Sequence, residues 1–274
     1  MSVAGAPLSR DEAGVRPILS ERLVTAAETG RAAAPMKGDT MNRYEVKYLV
    51  ATARVPDLVA EWSGYTRPDP HSEGEWGYPI YSVYWDTDDL QFFWEKVEGV
   101  KYRRKLRFRR YGSSGEVFVE VKQREDRTLQ KRRLRWPADR VARVFGSGTG
   151  SVDWDEAALH PVATEVGLLI DRLRLRPRMA ISYRRRALFG AFDPELRITF
   201  DGRIHYHPSH FDIRRAFDVG RYVIDPRLTV LEIKYDHRAP LWLTKAICRH
   251  GLKMVRMSKY CSAVDRHYFG GQNT

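Results

Sequence analysis

Residues Lys101 to Tyr111 read K-Y-R-R-K-L-R-F-R-R-Y, and the phase of this alternation decides the fold. Side chains on a β-strand alternate between faces, so Lys101, Arg103, Lys105, Arg107 and Arg109 share one face. Tyr102, Arg104, Leu106, Phe108 and Arg110 share the other. The aromatic content and the apolar residues at spacing two favour a strand over a helix. Same-face neighbours lie roughly 7 Å apart, where like charges repel by about 0.6 kcal/mol in water and about 2.4 kcal/mol at an effective dielectric of about 20. Five cations in a row call for a polyanion, or for open solvent beside a charge-decorated edge strand.

The neighbouring sequence decides between the two. Tyr111-Gly112-Ser113-Ser114-Gly115 is a hairpin signal. Its antiparallel partner is Glu116 to Gln123, with Val117, Val119 and Val121 on an apolar face and Phe118, Glu120 and Lys122 opposite. Gln130 to Trp136 sets Lys131, Arg133 and Arg135 against Leu134 and Trp136. Upstream, Asn42 to Val50 sets Glu45 and Lys47 against Tyr44, Val46 and Tyr48, and Pro79 to Thr87 is a β-branched and aromatic strand. Downstream, Met179 to Phe189 sets Ser182, Arg184 and Arg186 against Met179, Ile181 and Tyr183. Glu195 to Asp201 sets Glu195, Arg197, Thr199 and Asp201 against Leu196, Ile198 and Phe200, and Leu228 to Tyr235 sets Glu232 and Lys234 against Leu231, Ile233 and Tyr235. Helices are expected at 56–65, at 88–96, at 153–172 with a break at Pro161, at 240–249 and at 258–268.

A Glu-hydrophobic-Lys triplet recurs at Glu45-Val46-Lys47, Glu120-Val121-Lys122 and Glu232-Ile233-Lys234. Together these strands predict an α+β, mainly β fold: a closed eight-stranded antiparallel tunnel barrel with a charged interior. Its apolar faces would lie outside, under helices at 56–65, 153–173 and 240–268. Residues 1–40 read as a flexible tail and 41–270 as one tunnel domain. Such a charged interior makes sense only if phosphate and metal fill it, with the few carboxylates holding a hard divalent cation that bridges phosphates.

The chain has 274 residues and a net charge of +12, which points to an acidic partner. Cys248 and Cys261 form no metal-site spacing, so neither a disulfide framework nor a structural zinc site is indicated, and a reducing cytoplasm is the expected compartment. No apolar run approaches the roughly 18 residues of a membrane span. Any membrane association would need a partner that the sequence does not specify. His205, His207 and His210 fall on a Pro-Ser loop and read as surface residues. Tyr48, Tyr84, Tyr183 and Tyr235 read as wall and core packing, and Asp86 and Asp201 as turn caps, with an inward orientation of Asp201 left open.

R-Y-E-V-K-Y at 43–48, Y-W-D-T at 84–87, Lys105, Arg107, Arg109 and Tyr111, E-V-K at 120–122, Y-R-R-R-A at 183–187, L-R-I-T-F-D at 196–201, L-E-I-K-Y at 231–235 and S-K-Y-C at 258–261 occur in this order. The set resembles the VTC-type polyphosphate polymerase domain of the triphosphate tunnel metalloenzyme (CYTH-like) superfamily, over about residues 41 to 269. The resemblance implies a tunnel enzyme that transfers the γ-phosphate of ATP onto inorganic polyphosphate with Mn²⁺ or Mg²⁺. It implies catalytic roles for Arg107, Arg109, Lys122 and Lys259, and phosphate binding by Lys47, Lys105, Lys131, Arg133, Arg184, Arg197 and Lys234. Glu232 would be the metal carboxylate, with Glu45 and Glu120 as further candidates.

Two other functions stay open at this point. A tunnel triphosphatase would share nearly every basic residue, although an E-x-E-x-K strand would favour hydrolysis and Arg43 stands where its first Glu would be. A polyphosphate- or RNA-binding module is the other. Nucleic acid is not expected, because stacking aromatics should interleave with the cations and here they mostly occupy the opposite faces.

Overall fold

A computed structural model describes residues 43–272, apart from 73, 75, 127 and 147–150. These residues lie within one compact unit, Met41–Thr274. The expected tail at 1–40 lies outside the described residues. The strands are β1 (Arg43–Ala51), β2 (Thr66–Pro68), β3 (Tyr78–Asp86), β4 (Tyr102–Tyr111), β5 (Glu116–Glu125), β6 (Thr128–Pro137), β7 (Arg176–Gly190), β8 (Arg197–His207), β9 (Arg221–Tyr222) and β10 (Leu228–Asp236). The helices are α1 (Val55–Glu61), α2 (Gln91–Val97), α3 (Ala138–Phe145), α4 (Trp154–Ala157), α5 (Pro161–Leu173), α6 (Leu241–Arg249) and α7 (Lys259–Tyr268). Local chemistry sets several of these boundaries. Gly112 takes the left-handed conformation at the β4–β5 turn, φ 53°, which a glycine adopts without a Cβ clash. Pro161 opens α5, where its missing N–H costs nothing, and the His160 ring accepts from the Val162 amide just ahead of it.

The strands form one antiparallel sheet in the order β1-β10-β8-β7-β3-β4-β5-β6, with β2 on β7 and β9 on β8. This corrects the closed barrel expected from the sequence. No ladder joins β1 to β6 among the described residues, so the sheet is a curled, incompletely closed barrel. The reason lies at the edge of β1, where the Val255 amide donates to the Lys47 carbonyl at 2.8 Å and Met254 bridges Tyr48. The chain after α6 thus takes backbone groups that β6 would need.

The outer face is apolar and covered in two parts. Leu106, Phe108, Val117, Val119, Val121, Leu134 and Trp136 pack beneath α3, α4 and α5. Tyr48, Val50, Leu188, Ile198, Phe200, Leu231 and Ile233 pack beneath α1 and α6. The helix expected to complete this outer layer does not. Tyr260, Cys261, Ala263 and Val264 of α7 bury themselves against Tyr84, Met179, Ile181, Tyr183 and Tyr206 on the inner face. An apolar helix stripe needs an apolar partner, and burying a large apolar side chain is worth about 1.5–3 kcal/mol. The inner faces of β3, β7 and β8 supply that partner, so the interior is charged along only part of its length. No described helix is long and apolar enough to cross a membrane.

Candidate functional site

The strand registers place charges in rungs across the inner face. Lys105 of β4, Lys122 of β5 and Lys131 of β6 stand directly opposite one another, and Arg107, Glu120 and Arg133 form the next rung. Glu120, 2% exposed, gathers three cations: the Arg107 Nε donates to it at 2.6 Å, the Arg133 Nη2 at 2.6 Å and the Lys131 Nζ at 2.7 Å. Burial alone would raise its pKa, but Arg107, Arg109 and Lys131 hold the carboxyl far below the usual carboxylate range.

Arg109 is treated differently. It is 6% exposed, donates to Ser82 Oγ at 3.2 Å and to the Tyr111 hydroxyl at 3.5 Å, and has no carboxylate at ion-pair distance among the described residues. Lys105 donates to Ser258 Oγ at 2.8 Å. Lys122 reaches water, yet protein walls it in and Lys234, Lys105 and Lys47 surround it. Desolvation and those like charges pull its ammonium down to about 8 against the attraction of Glu45. Tyr84 and Tyr111 also come down to about 8; burial pushes their phenols up, and it is outweighed by Arg107 and Arg109 at Tyr84 and by Arg109 at Tyr111.

The facing wall is a lattice of matched charges. Lys47 reaches Glu45 at 2.9 Å and Glu232 at 3.6 Å, and Lys234 reaches Glu232 at 2.7 Å and Glu45 at 3.5 Å. Burial and the neighbouring Glu232 would raise Glu45, but Lys47, Lys234 and Lys122 bring it to about 2. Glu232 is likewise held well below its ordinary value, Lys234 and Lys47 overcoming its burial. One rung along, the fully buried Asp201 accepts from Arg185 at 2.6 and 2.7 Å and pairs with Lys259 of α7 at 2.6 Å. These cations offset its burial and bring it to about 2.

The inner face therefore gathers Lys47, Lys105, Arg107, Arg109, Lys122, Lys131, Arg133, Arg197, Lys234 and Lys259, together with Glu45, Glu120 and Glu232. Arg197 lies over the Phe189 ring at 5.2 Å, with Asp69 3.9 Å away. Arg184 is not in this set. On β7 the inward phase is Met179, Ile181 and Tyr183, in register with Tyr84, Ser82 and Ile80, and it continues to Arg185. The Arg184 side chain instead donates to the Gly77 carbonyl at 3.0 Å. Basic residues mark the inward phase on β4, β5 and β6, but α7 covers β7 from inside and reverses the rule there.

Arg185 and the anchoring role of Asp201 escaped the sequence reading, although Asp201 shares its alternation phase with Arg197. Asp86 does cap a turn, accepting from the Thr87, Phe92 and Phe93 amides, and it also accepts from the Tyr260 hydroxyl. Tyr84 faces inward, stacked on Tyr260 with ring centroids 5.0 Å apart. His207 is buried against Phe217 and Gly220, contrary to the surface position expected for it.

No group of three or more His, Cys, Asp or Glu residues suited to a metal ion occurs among the described residues. Glu45 and Glu232 stand on one wall and are hard oxygen donors of the kind Mg²⁺ or Mn²⁺ takes, but each already pairs with Lys47 and Lys234, so a cation there would have to displace those lysines. Glu120 is committed to its three cations.

The family model described as VTC domain matches residues 42–268. No curated protein matches. Solved structures resemble the chain at low identity. A putative adenylyl cyclase from Hippeastrum, described as revealing a dominant triphosphatase activity, shares 11% identity at TM-score 0.46, covering 84% of this chain and 100% of that one. A putative adenylate cyclase from Vibrio parahaemolyticus shares 10% at TM-score 0.41, covering 80% and 95%. A protein from Pyrococcus horikoshii OT3 shares 12% at TM-score 0.41, covering 81% and 99%. At these TM-scores the likenesses add nothing to the family match.

Proposed function

Because this chain belongs to the VTC domain family, we propose that its inner wall binds a chain of phosphates and transfers the γ-phosphoryl group of ATP to the end of inorganic polyphosphate. The observation that carries this reading is Arg109, a buried guanidinium that has no carboxylate at ion-pair distance among the described residues and stands beside Arg107 above a rung of three lysines. A buried guanidinium held only by hydroxyls is stabilised further by a charge-assisted hydrogen bond, and a phosphate oxygen supplies one.

Phosphoryl transfer asks little covalent chemistry of a protein; position and charge stabilisation do most of the work. A terminal phosphate oxygen of the acceptor attacks the γ-phosphorus. The bond from that phosphorus to the β–γ bridging oxygen breaks, and ADP leaves with the electron pair. Arg107, Arg109, Lys122 and Lys259 would hold the reacting phosphoryl group and take up charge on its oxygens. Lys47, Lys105, Lys131, Arg133, Arg197 and Lys234 would bind the phosphates on either side. Glu232 and Glu45, released from Lys47 and Lys234, would hold Mn²⁺ or Mg²⁺, which would supply further charge neutralisation.

The test is incubation of the purified protein with ATP and Mn²⁺, following long-chain polyphosphate on a gel and free phosphate in solution. Long chains made by the wild type and lost in Arg107→Ala/Arg109→Ala are expected. Free phosphate without chains would make water the acceptor and the protein a tunnel triphosphatase. Neither product, with polyphosphate still bound, would leave a binding module.

A further inference from the structure

Thr199 sits on the inner face of β8, in register with Glu232 of β10 on one side and Ala187 of β7 on the other. It is 3% exposed, and its hydroxyl has no hydrogen-bond partner among the described residues. A buried hydroxyl normally finds a partner, because leaving one unmade costs about 1–3 kcal/mol. The neighbours explain why none comes from the protein. Glu232, the nearest carboxylate in register, turns one oxygen to the Lys234 Nζ at 2.7 Å and the other towards the Lys47 Nζ at 3.6 Å, and neither accepts from Thr199. Ala187 offers only a methyl. Along the strand, Asp201 is engaged by Arg185 and Lys259. Arg197, on the other flank, has an Nε that is itself buried without a partner.

The Thr199 hydroxyl and the Arg197 Nε–H are thus two unmet donors on consecutive inward positions of one strand, beside the Lys47–Glu232 pair. Both are donors, so they suit the same ligand, an acceptor-only oxygen. We infer that Thr199 is a substrate-binding residue whose hydroxyl donates a hydrogen bond to a non-bridging phosphate oxygen held next to Arg197 and Lys47. This rests on the reading of the inner wall as a phosphate-chain site.

A neutral donor to an anionic oxygen predicts a modest and specific loss. Calorimetry with inorganic tripolyphosphate should give Thr199→Val a Kd about five- to twentyfold weaker than the wild type. Thr199→Ser should restore binding to within about twofold. The melting temperature of the unliganded Thr199→Val protein should equal or exceed that of the wild type, because an isosteric methyl relieves an unmet polar group. Equal affinity of Thr199→Val and wild type overturns the inference. A marked fall in its unliganded melting temperature does so too, since the hydroxyl would then have a partner within the protein. If the wild type itself fails to bind tripolyphosphate, the phosphate-chain reading falls and the inference with it.

Discussion

On β4, β5 and β6 a single carboxylate, Glu120, serves Arg107, Lys131 and Arg133, while Arg109 and Lys122 have none at ion-pair distance among the described residues. On β1, β8 and β10 each inward carboxylate meets two cations: Glu45 and Glu232 share Lys47 and Lys234, and Asp201 holds Arg185 and Lys259. On the second wall these carboxylates are already paired, and the groups left without a partner among the described residues include the Thr199 hydroxyl and the Arg197 Nε. The first is complete only with water or an anion against it. On the proposed function, the paired wall would hold its shape without ligand and the cationic wall would supply most of the affinity for a polyanion.

The largest effect should come from emptying the cationic wall. Arg107→Ala/Arg109→Ala removes two charge-assisted contacts worth about 1.5–3 kcal/mol each, so tripolyphosphate affinity by calorimetry should fall at least about 100-fold. Lys47→Ala/Lys234→Ala should cost less affinity and more stability, because it strands Glu45 and Glu232. An equal affinity loss from both pairs would erase the distinction between the walls.

Glu120→Gln attacks the one point at which the cationic wall resembles its neighbour. Breaking a buried pair costs about 3–5 kcal/mol, and the partial exposure of Lys131 and Arg133, 43% and 41%, places this case near the lower end. The melting temperature should drop by several degrees, and added tripolyphosphate should recover more of it than it adds to the wild type.

The two walls should also respond to pH in different windows, stability rising with pH in each. Glu45 and Asp201 stand at about 2 in the folded chain against ordinary values of 4.5 and 3.8. Their contribution to stability is fully present above the ordinary values and is lost as pH falls from about 4 towards 2. Lys122 stands at about 8 against 10.5, so between those values the unfolded chain binds the extra proton and stability rises with pH. Ligand binding runs the other way: tripolyphosphate affinity should fall a few-fold between pH 7 and 9, and Lys122→Arg should flatten that profile. A profile unchanged by the substitution would remove Lys122 from the ligand's reach.

The smallest effect tests the phase of β7. Arg184→Ala should change tripolyphosphate affinity less than about twofold, whereas Arg185→Ala should unfold the protein more readily by stranding Asp201. The reverse result would put Arg184 inside.

Most of the sheet was legible because alternation survives wherever one face is buried, as Val117, Val119 and Val121 illustrate. Closure was not, because nothing in the pattern of β1 says that Met254 and Val255 will occupy its edge. The inward placement of the charged residues on β4, β5, β6 and β10 could be read from phase alone. Arg184 and Arg185 could not be told apart, since three consecutive arginines blur the alternation and the covering helix lies far along the chain. Thr199 was visible only as a polar residue in the right phase; its unmet hydroxyl depends on neighbours from two other strands.

The docking of α7 has a consequence for how the molecule is made. This helix follows every strand in sequence, yet Tyr260 is tied to Asp86, 174 residues earlier. A nascent chain therefore emerges from the ribosome with all its strands and an inner apolar lining that nothing yet covers. Loop closure over such spans is slow, and folding dominated by distant pairings falls in the millisecond-to-second range. Until α7 arrives, Asp201 lacks Lys259 and Asp86 lacks its phenol, so a ribosome-bound chain stopped short of Lys259 should bind chaperones and resist compaction.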